Sequence, residues 1–173
     1  MLEGYAQAGV TDIVTLAGAS VGSLYHHFSG KAELYLALFE QLHNEHDLRT
    51  RQAVRRCRDR GISDPLQLLV AGARGYLDVC IEQRDLVRMF SDGDGPPGFD
   101  SVRRHRLSDW VHRNAAFFAR SGEPLDEAAA IVITGAMMLA SAEVSRAPDA
   151  ARAREIADGV LKVLSRLSLT AAS

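Results

Sequence analysis

Only two cysteines, Cys57 and Cys80, occur in 173 residues, and their spacing fits no metal-binding pattern. A disulfide framework is therefore excluded, and a reducing compartment is the default. Lysine is as scarce: of twenty basic residues only Lys31 and Lys162 are lysine, a bias of coding composition rather than of chemistry. Five prolines, 6% aromatics and long Ala/Leu/Arg tracts favour helix over strand. No stretch approaches the roughly 18 to 20 uninterrupted apolar residues of a membrane span, and the start lacks the basic and apolar regions of a secretory signal. The expectation is a cytoplasmic chain without a membrane partner. No glycine-rich phosphate loop, nucleophile elbow or Ser-His-Asp order is visible, so neither an enzyme nor a cofactor is expected.

What is present is a chain 47% hydrophobic and 24% charged with a net charge of -2, enough apolar content for a real core. Apolar positions recur at helical spacing almost throughout and period-two alternation is absent, which predicts an all-α fold. A short helix is expected over Val10 to Leu16, then an Ala17-Gly18-Ala19 turn, then a second short helix from Ser20 to about His27, with Ser20 as N-cap. Ser29-Gly30-Lys31 opens a longer helix with Leu34, Leu38 and Leu42 inward and Tyr35 and Phe39 alongside, stopping near Gly61. Asp64-Pro65 starts the next helix. A short segment from Asp85 to Phe90 meets the Gly93-to-Gly98 breaker, which reads as a loop. Two further stripes follow, one around Trp110 and one from Ile131 to Ala142, and a last helix begins at about Ala150.

The densest signal lies early. Asp12-Ile13, Ala17-Gly18-Ala19-Ser20, Gly22, Leu24-Tyr25, His27-Phe28 and Gly30-Lys31 describe two short helices meeting through a glycine turn. Ile13, Leu16, Leu24 and Phe28 would face a small core, leaving Ser20, Gly22, Ser23, Tyr25, His26 and His27 outside. Gly22 has no side chain to hold a second surface away. This stretch, preceded by Gly4-Tyr5, resembles the helix-turn-helix of the TetR family of transcriptional regulators over residues 4 to about 39. The rest of the chain is similar to the family in architecture only.

The resemblance implies residues 1–45 as a DNA-binding domain and 46–173 as a helical domain for ligand binding and dimerisation. It implies a recognition helix, Ser20 to His27, in the major groove of operator DNA. Tyr25, His27 and Lys31 would hold phosphates, and Val21, Gly22 and His26 would face base edges or their backbone. Three features depart from the family pattern. Only Met1-Leu2-Glu3 precede Gly4, so the family's first helix is expected to be missing. Gly9 stands where a capping Ser or Thr is usual. Lys31 is the sole Lys or Arg in residues 1–45, against Glu3, Asp12, Glu33, Glu40 and Glu45, the wrong sign for tight phosphate binding.

Elsewhere, Tyr76, Met89, Trp110, Phe117 and Met137 are candidates for an apolar effector pocket between helices, although helical core is the plainer role for any one of them. Ile131, Gly135, Met138 and Ala142 with Ile156, Val160, Val163 and Leu167 read as a homodimer seam, the small residues allowing close helix approach. The basic run Arg49, Arg51, Arg55, Arg56, Arg58 and Arg60 could touch DNA or another polyanion, but a solvated helix face is the plainer reading. Glu40-x-x-His43 and Asp109-x-x-His112 have the spacing of di-iron bundles, with Glu82 or Glu143 as the only reasonable further donors, but Glu40 and His43 lie in a polar surface stretch. The expectation is a TetR-like repressor released by a small apolar or amphipathic effector. The alternative is a helical dimer that binds a ligand or protein and does not bind DNA.

Overall fold

A computed structural model describes residues 5–92, 94–120 and 127–167. These residues form eight helices: α1 (Val10–Leu16), α2 (Val21–His27), α3 (Lys31–Asp59), α4 (Pro65–Glu82), α5 (Arg84–Ser91), α6 (Phe99–Arg120), α7 (Glu127–Arg146) and α8 (Ala150–Leu164). No strand occurs among the described residues, and the fold is all-α. Local chemistry accounts for most boundaries. Asp64 caps α4 by accepting the Gln67 N–H at 2.7 Å, with Pro65 in the first turn. Asp149 does the same for α8 through Arg152 N–H at 2.8 Å. Gly61 ends α3 with φ of +82°, its N–H donating to Arg58 and that of Ile62 to Cys57. A left-handed residue there lets the last carbonyls of the helix find donors.

The longest helix, α3, runs unbroken for 29 residues, roughly 43 Å at 1.5 Å per residue. Its first turns touch the N-terminal segment and its later turns pack along α4. The main core gathers Tyr35, Phe39 and Leu42 of α3 with Leu77 and Cys80 of α4, Phe90 of α5, Phe99 of α6, Val144 of α7 and Leu161 of α8. Four of these rings meet edge to face: Phe39 lies 5.2 Å from Phe90 and 5.0 Å from Phe99, and Tyr35 lies 4.9 Å from Phe90. Leu34 and Leu38 are only half-buried; Tyr35 and Phe39 take the innermost row.

The α3–α4 crossing is closest at two glycines. A methyl on Gly75 would stand 2.7 Å from the Arg49 carbonyl oxygen, and one on Gly72 would press on Thr50 and Val54 at 3.2 and 3.3 Å. Contrary to the expectation that no stretch approaches a membrane span, residues 128–146 of α7 have the length and mean hydropathy of one, because its small polar residues and single glutamate dilute the apolar run only slightly. In the fold this helix lies against α4, α5, α6 and α8 and buries Thr134, Ser141 and Ser145.

Candidate nucleic-acid interface and effector cavity

The two short helices are joined as their residues require. Gly18 takes φ of +62°, its N–H donating to Thr15 and the Ala19 N–H donating to Val14 at 2.8 Å. This closes α1, and only glycine adopts that conformation without steric cost. Ser20 then caps α2, its Oγ accepting the Ser23 N–H at 3.0 Å. Gly9 precedes α1 with no side-chain cap. Val14 and Leu24 fill the α1–α2 contact. Leu16, expected on the inner face, is 89% exposed. The inward stripe of α1 is Val10, Ile13 and Val14, and Leu16 falls about 200° around the helix from Val14.

The face of α2 turned to solvent carries Val21, Gly22, Tyr25, His26 and His27, with Tyr25 55% exposed and Val21 41%. The two histidine rings meet edge to face at 4.9 Å. No other described residue stands within 4 Å of a methyl placed on Gly22 except Ser20, so this face is open to close approach.

Lys31 sits differently from the phosphate-holding role that the resemblance implies. Its Nζ donates to the Tyr5 and Ala8 carbonyls at 2.6 and 2.9 Å and lies 4.4 Å above the Tyr5 ring. Two of its three donors thus tie the segment before α1 to the start of α3. The Tyr5 ring also packs on Tyr35 at 5.2 Å. Asp94, in the loop after α5, joins the same assembly: its carboxylate accepts the Ala6 N–H at 3.1 Å and its carbonyl accepts the Tyr35 hydroxyl at 3.0 Å. Burial, with Asp94 nearby, pushes the Tyr35 hydroxyl up to about 12. At the start of α3, Glu33 accepts the Ser29 N–H at 2.6 Å, and bonding to Ser29 holds its carboxyl below the usual range.

A cavity of about 590 Å3 opens between α3, α4, α6 and α7. Its apolar wall includes Val54, Leu68, Tyr76, Trp110, Ile133 and Met137, with the Tyr76 and Trp110 rings 4.8 Å apart. Of the candidates expected from sequence, Tyr76, Trp110 and Met137 therefore meet at one place. Met89 instead packs half-buried against the main core. The Phe117 side chain lies outside the described residues.

The polar rim was not foreseen. Arg51, Arg55 and Arg58 of α3 line the cavity with Asp47, and Arg113 and Asn114 contribute from α6. Arg113 pairs with Asp47 at 2.9 Å, and Asn114 donates to Thr134 at 3.2 Å. The spacing 47, 51, 54, 55, 58 marks a single face of α3, a signal present in the sequence but lost inside the wider basic run. Arg49 leaves that face to bridge Glu45 and Glu82 at 2.8 and 2.6 Å. Below the cavity, His46 is buried beside Cys80 at 3.6 Å and Tyr76 at 4.3 Å between rings, its Nδ1 without a hydrogen-bond partner. Burial first, then the neighbouring His43, pushes the His46 imidazole down to about 3. Burial likewise pushes the Cys80 thiol up to about 12.

The di-iron spacing gathers no ligand set. Glu40 pairs with Arg106 at 3.3 Å, His43 bonds the Phe39 carbonyl and His112 the Ser108 carbonyl. Among the described residues no three His, Cys, Asp or Glu side chains converge on a metal-sized space.

Residues 1–38 match the family model of bacterial regulatory proteins, tetR family. Over these residues the N-terminal segment is similar to the helix-turn-helix of that family. Over 44 residues the chain is 48% identical to the HTH-type transcriptional regulator TtgR of Pseudomonas putida, and equally to the probable HTH-type transcriptional regulator ArpR of the same species. Each match covers 25% of this chain and 21% of the relative, so the chain matches about a fifth of the length of these curated relatives. The matched segment thus comprises α1, α2 and the first turns of α3, and the cavity lies outside it.

Proposed function

We propose that the chain is a TetR-like transcriptional regulator, a repressor whose hold on double-stranded operator DNA changes when a small amphipathic effector enters the cavity. The observation that carries this reading is α2: a capped helix in the matched segment whose outer face is Val21, Gly22, Tyr25, His26 and His27. In this reading Tyr25 and His27 contact phosphates, while Val21, Gly22 and His26 lie against base edges, Val21 packing on thymine methyls. Residues 1–45 serve DNA and 46–173 serve effector and dimer, all in the cytoplasm. Effector control requires that the ligand bind two dimer geometries with different affinity. The continuous α3, tied to the DNA-binding segment through Lys31 and Tyr35, is the rigid link that supports such coupling.

A homodimer supplies the second recognition helix. Ile131, Met138 and Val163 from the expected seam are each at least half exposed, and their neighbours Val132 and Leu139 are both above 60%. Ile156, Val160 and Leu167 instead pack half-buried against the chain's own core. A methyl on Gly135 meets no described atom within 4 Å. In an isolated chain Gly135→Ala would thus stabilise α7 by up to about 1 kcal/mol. Across a tight seam the same methyl weakens the dimer, so sedimentation equilibrium on Gly135→Ala is expected to show a weaker dimer. A dimer unchanged by the substitution places the seam elsewhere.

The test of DNA binding is a gel shift of the full chain on the intergenic DNA beside its gene. Tyr25→Ala is expected to weaken binding about tenfold, the loss of roughly 1.4 kcal/mol, with an unchanged melting temperature because the side chain is exposed. Lys31→Ala is expected to lower stability by about 1–2 kcal/mol through its two carbonyl bonds, and to weaken DNA binding only by loosening the segment before α1. A Lys31→Ala chain that melts normally but binds with a salt slope smaller by about one returns this lysine to the phosphates.

One observation favours a second reading, a helical dimer that binds a ligand or protein without DNA. The sole Lys or Arg of residues 1–45 donates inward, leaving the α2 face no permanent cation of its own. Absence of any shift on operator-sized DNA, with effector binding intact, selects it.

A further inference from the structure

We infer that the cavity takes an organic anion: an apolar, ring-bearing body against Tyr76 and Trp110, with a carboxylate, sulfonate or comparable acid group held at its mouth by Arg51 and Arg55. The inference rests on the reading of this cavity as the effector site and names the chemistry of its ligand. Four arginines line the cavity against two aspartates. Asp47 is already engaged by Arg113 at 2.9 Å. Arg51 and Arg55 stand one turn apart on the same face of α3, both exposed, and neither makes an ion pair with a described residue. Two guanidinium groups so spaced bind one acid group by hydrogen bonds in which both partners are charged, stronger than those a neutral acceptor makes and closed to a cation.

The opposite wall supplies the other half of the recognition. Tyr76 and Trp110 present adjoining rings tilted by 46°, flanked by Leu68, Val54 and Met137, so an apolar body is removed from water while its charge stays at the wetter rim. A role for these arginines on operator phosphates fits less well. Arg51 lies twenty residues along α3 from Lys31, roughly 30 Å by helical rise, and faces a concavity rather than the outer surface of α2.

Trp110 is the only tryptophan in the chain and lines this cavity, so its emission is a local reporter of binding there. The test titrates the full chain with two probes of matching body, the anion 8-anilinonaphthalene-1-sulfonate and the neutral N-phenyl-1-naphthylamine, following energy transfer from Trp110. The sulfonate is expected to bind at least tenfold more tightly. Arg51→Gln/Arg55→Gln is expected to remove that preference and leave the neutral probe unaffected, and raising the salt concentration is expected to erode it in the parent chain. Equal affinity for both probes, unchanged in the double variant, overturns the anion assignment while leaving the cavity as an effector site. If neither probe alters Trp110 emission, the effector-site reading fails and the anion assignment with it. Both substituted side chains are exposed, so a melting curve matching the parent is expected to accompany the loss of preference.

Discussion

A Gly75→Ala chain is expected to melt about 4 to 8 °C below the parent. The added methyl would stand 2.7 Å from the Arg49 carbonyl oxygen, 3.0 Å from its carbon and 3.2 Å from the Ala53 side chain. Two of those three atoms are backbone, so relief requires α3 and α4 to separate. Overpacking of this kind costs typically about 1–3 kcal/mol, and a backbone-on-backbone clash belongs at the upper end. Alanine returns up to about 1 kcal/mol as a better helix former, leaving a net loss of about 2 kcal/mol. For a chain of this length each kcal/mol moves the midpoint by roughly 2–4 °C. Because Gly72, one turn away, lines the cavity, the same substitution is expected to weaken probe binding at Trp110. A melting temperature at or above the parent's would show that the helices do not cross this closely.

Acidification from pH 7 to pH 5 is expected to remove about 2 kcal/mol of stability through His46 alone. Its imidazole is 4% exposed, with Nδ1 unpartnered and Nε2 3.6 Å from the Cys80 sulfur, so the site accommodates only the neutral ring. Burial and the adjacent His43 hold the folded-state value at about 3, against an ordinary 6.5. Above pH 6.5 both folded and unfolded chains carry the ring neutral and no penalty exists. Below it only the unfolded chain takes up the proton, so the unfolded state is favoured by about 1.4 kcal/mol per pH unit until the folded value is reached. His43, itself lowered chiefly by burial, pushes in the same direction. Urea midpoints at pH 7 and pH 5, taken at one protein concentration, read this difference directly. In His46→Leu the gap between the two pH values is expected to shrink by about 2 kcal/mol, whatever the absolute stability of the variant. A gap of parental size would mean that His46 is hydrated or partnered in solution.

Where short-range chemistry decides the outcome, the sequence was readable. Ser20, Asp64 and Gly61 each act within four residues of their own position, and each begins or ends its helix where a hydroxyl, a carboxylate or a left-handed glycine dictates. The same holds for the turn at Gly18 and for the outward set on α2. Leu16 shows the limit within a single short helix, since seven residues offer two candidate apolar stripes and only the partner helix chooses between them. Lys31 shows it over distance. Its carbonyl partners lie 26 and 23 residues back, and nothing in the local pattern separates a lysine that reaches DNA from one that folds onto its own backbone.

The cavity divides in the same way. Tyr76, Trp110 and Met137 could be picked out as large apolar side chains on three different helices, but Met89 had equal credentials and went to the core. Arg51 and Arg55 were visible as charges, yet whether that face of α3 met water or a concavity depended on how α4 and α6 lay across it.

Composition, helical periodicity and the capping residues by themselves determined an all-α chain, because those signals act over one or two turns, while the TetR likeness rested on the resemblance of the residues from Asp12 to Lys31 to a known pattern. Only the tertiary structure decided which lysine turns inward, which arginines border the cavity and which apolar faces of α7 and α8 are left uncovered. Those outcomes depend on helix crossings set by contacts such as Gly75 against Arg49, between residues far apart in the chain.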